Sequence, residues 1–84
     1  MYKELFSFIM GQYKYSLKEY KSDRLWRLWL RAANATKIIE IGLPINREGI
    51  VWDHVMVIHY YNNGIITKEV IDKIDRMFKM KAFW

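Results

Sequence analysis

The chain has 84 residues, of which 52% are apolar and 17% aromatic, and it contains no cysteine. That length leaves room for one small domain; the aromatic content excludes a disordered tail, and the lack of thiols excludes a disulfide framework, a thiolate zinc site and a cysteine nucleophile. Fourteen Lys and Arg stand against nine Asp and Glu, a formal charge of +5, and the expected compartment is the cytoplasm.

No stretch approaches the roughly 18 apolar residues of a membrane span. The early apolar run at 5–10 is followed by Gly11, Gln12 and Lys14, not by a signal-peptide cleavage site. Asn34-Ala35-Thr36 fits a glycosylation pattern, which carries no meaning in a cytosolic chain.

Residues 2–20 read as a first helix. At 100° per residue, Tyr2, Leu5, Phe6, Ile9, Met10, Tyr13, Leu17 and Tyr20 fall within an arc of about 140°. Gly11 falls opposite, where it costs about 1 kcal/mol relative to Ala without breaking the stripe. Phe8 and Tyr15 lie off the stripe, either exposed or contacting something else.

Ser22 is a good cap for a second helix that carries Arg24, Arg27 and Arg31 on one ridge about 60° wide. Leu25, Trp26, Leu28, Trp29, Leu30, Ala32 and Ala33 fill the remaining arc of about 200°, as expected of a central helix with Trp29 in mid-arc. Residues 36–41 fit one helical turn or a short strand.

The only proline, Pro44, marks a loop at 42–49. Residues 50–61 fit a helix capped by Asn46 that buries Ile50, Val51, His54, Val55, Ile58 and Tyr61; length favours it. They also fit a strand turned by Asn63-Gly64 into Ile65-Ile66. Thr67 caps the last helix, Ile66 can staple to Ile71, and Val70, Ile71, Ile74, Met77 and Phe78 form one stripe. The expected fold is therefore all-α, a bundle of about four helices over 1–84, with α+β and a short hairpin in 37–66 as the alternative.

The charge is unevenly placed. Residues 12–37 hold Lys14, Lys18, Lys21, Arg24, Arg27, Arg31 and Lys37 against Glu19 and Asp23, while the rest of the chain is balanced. Such a local excess attracts phosphates or an acidic protein surface, against the plainer reading of a solvated face. A membrane-surface helix fits less well, because its tryptophans are needed for a core.

His54 and His59 are five apart, a poor spacing for a metal on a helix, and no Gly-rich phosphate loop or nucleophile elbow is present. His54 reads as a core-edge residue bonded to the backbone. The element ending near Tyr61, the turn Asn62-Asn63-Gly64 and the helix after Thr67 loosely imitate a helix-turn-helix, yet Glu69, Asp72 and Asp75 would repel phosphates there.

The expected function is thus a small basic binding protein, with no enzyme activity, metal or cofactor. Its composition suits an AT-rich genome and an accessory or counter-defence factor of the phage type, inhibitory or recruiting. Its partner would be a nucleic acid or an acidic surface of a nucleic-acid-handling host complex, met through the seven cations of 12–37. The alternative is a self-associating protein, a homodimer that buries Phe8, Tyr15, Phe83 and Trp84.

Overall fold

Along 28–33 and 38–43, burial alternates residue by residue. The computed structural model describes residues 2–21, 26–53 and 55–82. Its elements are strands β1 (Tyr2–Met10), β2 (Tyr13–Lys21), β3 (Trp26–Ala33), β4 (Ile38–Leu43), β5 (Ile45–Asn46) and β6 (Gly49–Ile50), then helices α1 (Val55–Asn62) and α2 (Lys68–Ala82). The chain divides into two compact units, 1–42 and 43–84.

The first unit holds a sheet of order β1-β2-β3-β4. This corrects the all-α expectation: neither 2–20 nor 26–33 is helical. Gly11 explains the first error. It adopts φ 63° and, with Gln12, makes a two-residue turn between the paired Met10 and Tyr13. Glycine with positive φ in the first position is what a type II′ hairpin turn requires. The residue counted as a blemish on a helix is the corner of a hairpin.

The second error has a similar cause. An apolar arc of about 200° on a helical wheel is also what a strand with residues on both faces produces. Along β3, Leu28, Leu30 and Ala32 are buried while Trp29, Arg31 and Ala33 are partly exposed. Along β2, Tyr15 and Leu17 are buried while Lys14 and Tyr20 are exposed. Ile39, Ile41 and Leu43 continue the buried set in β4, and Ile38 and Glu40 are exposed between them.

The turn after β3 is held by Asn34. Its Oδ1 accepts from the backbone N–H groups of Thr36 at 2.9 Å and Lys37 at 2.8 Å, and from the Thr36 hydroxyl at 3.1 Å. The Asn-Ala-Thr triplet is a turn cap. A break in register between Glu4 and Phe6 marks a bulge at Leu5 on the edge strand β1.

In the second unit, β5 and β6 form a minimal hairpin, with Ile45 opposite Ile50 and Asn46 opposite Gly49. Asn46 Oδ1 accepts from the Glu48 N–H at 2.8 Å, so Asn46 caps this turn and no helix. Helix α1 starts later than expected, at Val55, and buries Val57; Ile58 and Tyr61 are exposed. The Asn63-Gly64 pair ends α1 and begins no hairpin: Gly64 takes φ 77°, and the Tyr60 carbonyl accepts from Ile65 at 3.2 Å and Ile66 at 3.3 Å.

Helix α2 follows the 3.6-residue repeat. Thr67 Oγ1 accepts from the Val70 N–H at 3.2 Å, satisfying an end donor, and Val70 and Ile74 are fully buried. Asp75, expected on the solvated side, instead accepts from the Trp52 indole N–H at 2.8 Å and ties the segment before α1 to α2.

Candidate functional site

The exposed face of the sheet carries an open depression of about 370 Å³, lined by Tyr2, Glu4, Lys14, Ser16, Lys18, Arg31 and Ala33. Register explains why these residues meet. Ser16 in β2 lies opposite Ser7 in β1 and Arg31 in β3; Lys18 lies opposite Glu4 and Trp29; Lys14 lies opposite Ile9 and Ala33. Side chains at alternate positions share a face, so 14, 16 and 18 converge with their cross-strand partners. Ser16 is 7% exposed and lines the depression together with the three cations.

Three cations and one carboxylate line the depression, leaving it positive. Arg31 contributes a planar fork of donors suited to phosphate or carboxylate, and the two lysines contribute compact charges. Lys18 Nζ lies over one face of the Tyr2 ring, 4.7 Å from its centre, a cation–π contact that covers that face with charge. Tyr2 and Tyr20 are directly opposite in register and 63% and 41% exposed. Trp29 is half-buried, its six-membered ring resting on Gly42, where an added Cβ would meet it at 3.4 Å.

Of the seven cations singled out in the sequence, the depression gathers Lys14, Lys18 and Arg31. Lys37 is exposed in the turn after β3, outside it. Lys21 and Arg27 stand opposite Trp26 and Tyr20 in register, and Arg24 lies outside the described residues. The helical arginine ridge is therefore replaced by a patch drawn from three strands. Tyr2, Glu4 and Ser16 were missed as site residues; the alternation of Lys14, Ser16 and Lys18 with Tyr13, Tyr15 and Leu17 could have found Ser16, whereas Tyr2 and Glu4 join only through the pairing of β1 with β2.

The candidate interaction aromatics separate differently. Tyr15 is buried at 3% exposure and stacks on Phe8 with ring centres 5.4 Å apart; Phe8 also stacks on Phe6 at 6.5 Å. Burial pushes the Tyr15 phenol above its ordinary pKa, with Tyr13 nearby adding to the effect. Tyr15 is a core residue with almost no surface to offer a partner. Phe83 and Trp84 lie outside the described residues, as does His54.

His59 is exposed, edge-on to Tyr60, and its carbonyl accepts from Asn63 Nδ2 at 3.2 Å. No group of three or more His, Cys, Asp or Glu capable of holding a metal occurs among the described residues, and no helix among them is long and apolar enough to cross a membrane. Comparison with protein-family models, curated proteins and solved structures finds no match.

Proposed function

We propose that this chain is a nucleic-acid-binding protein that grips the phosphate backbone through the exposed face of its sheet and acts by occupancy. The observation carrying this reading is the convergence of Lys14, Lys18 and Arg31 on one depression, beside an exposed tyrosine. The excess charge of the chain lies in 12–37, so the field that would draw a polyanion originates where the depression is. Residues 38–84 balance six cations with six carboxylates and offer no comparable pull.

The test is a charge-matched pair of variants. Replacing Lys14, Lys18 and Arg31 together by Gln removes the patch; replacing Lys68, Arg76 and Lys79, all exposed on α2, removes the same charge elsewhere. Fluorescence anisotropy of a labelled oligonucleotide across a salt series should show the first variant weakened, with the slope of log K against log[salt] flattened by about 2–3. The second variant should keep most of that slope. Equal effects of both variants would mean diffuse attraction with no site, and retained binding by the first would remove the depression from consideration.

A further inference from the structure

Resting on that reading, we infer that the nucleic acid bound on this face is single-stranded, with its bases stacked on Tyr2 and Tyr20 while Lys18, Lys14 and Arg31 hold the phosphates. Three observations carry the inference.

The first is ring placement. Tyr2 and Tyr20 are cross-strand neighbours on the charged face, and both leave large parts of their rings in water. An antiparallel sheet ordinarily fills its solvated face with polar residues. Aromatic rings there, among cations, form a platform on which unpaired bases stack, whatever their sequence.

The second is the coupling of ring to charge. The Lys18 ammonium is 4.7 Å from the centre of the Tyr2 ring, and Trp29 stands opposite Lys18 on the next strand. Tyr2 is still 63% exposed with Lys18 over one face, so a base would stack on the opposite face and its phosphate would lie near the same ammonium. Tyr2, Glu4, Lys14, Ser16, Lys18 and Arg31 line one depression drawn from β1, β2 and β3.

The third is size. A duplex hides its base faces and presents phosphates and groove edges. Four strands spaced about 4.8 Å apart are wider than a major groove of about 12 Å, which admits a helix or a two-stranded ribbon. Against a duplex its cations would still meet phosphates, but its tyrosines would find no unpaired base face on which to stack.

The experiment uses the full chain with a labelled single strand of about a dozen nucleotides and the matched duplex, both by anisotropy at one salt concentration. The single strand should bind at least about tenfold tighter than the duplex. Replacing Tyr2 and Tyr20 by Ala should weaken single-strand binding by about tenfold or more with the salt slope unchanged, and Tyr2→Phe with Tyr20→Phe should restore it. Equal affinity for both forms, or unchanged binding by the Ala variant, overturns the single-strand inference and leaves phosphate binding standing. Absence of binding to either form at low salt overturns both, and directs attention to an acidic protein as the partner.

Discussion

In the sheet of residues 1–42 the buried apolar side chains recur at every second position, as in Leu28, Leu30 and Ala32; in α2 they recur at the helical interval, as in Val70 and Ile74. Both halves contain apolar residues that can be drawn as a stripe on a helical wheel. What separates them is the chemistry at the ends of each element. The first half is punctuated by Gly11, which supplies a positive φ to a hairpin, and by Asn34, which caps a turn. The second is punctuated by Thr67, which caps a helix. The halves also divide the labour of charge, since the excess lies in the sheet-forming half.

The largest effect that can break this contrast lies in the sheet core. Leu30 is 1% exposed, whereas Trp29 next to it lies partly open on the other face. Leu30→Ala should lower the unfolding free energy by about 2–5 kcal/mol in urea titration. Trp29→Ala should cost less, about 1–2 kcal/mol, because its ring rests on Gly42 and is only half-buried. A helix with Trp29 in mid-arc demands the opposite order, so a reversed result would restore the helical reading of 26–33.

A smaller pair of substitutions sharpens the contrast at the punctuation points. Gly11→Ala meets no atom within 4 Å, so its cost comes from φ 63° alone, about 1–2 kcal/mol. Thr67→Ala should cost about 1 kcal/mol through the lost cap of α2. If 2–20 were one helix, Gly11→Ala would stabilise it, so the sign of that change in thermal unfolding decides the matter.

Legibility in the sequence followed the same line. The last helix was readable because Thr67 precedes a clean repeat at Val70, Ile71, Ile74, Met77 and Phe78. The sheet was not, because its aromatic and aliphatic residues are dense enough to satisfy periods of 2 and 3.6 together. In such a segment, Tyr-Lys-Tyr-Ser-Leu-Lys after Gly-Gln should have outweighed the wheel. The cations were legible as a local excess, yet their companions were not: Tyr2 and Glu4 reach the patch only through the pairing of β1 with β2. The Trp52–Asp75 bond spans 23 residues and leaves no local signal.

The central claim is that β2 alternates, with Tyr15 inside and Tyr20 outside. The chain has no cysteine, so a single introduced thiol can be read without background. Rates of thiol labelling in folded Tyr15→Cys and Tyr20→Cys variants, each scaled to its unfolded rate, test the claim most directly. The sheet predicts that Tyr20→Cys labels at close to its unfolded rate while Tyr15→Cys is strongly protected, in line with 41% and 3% exposure. Protection at position 20, which a helix over 2–20 places on its apolar stripe, or free labelling at position 15 would contradict both the sheet and the binding face built on it.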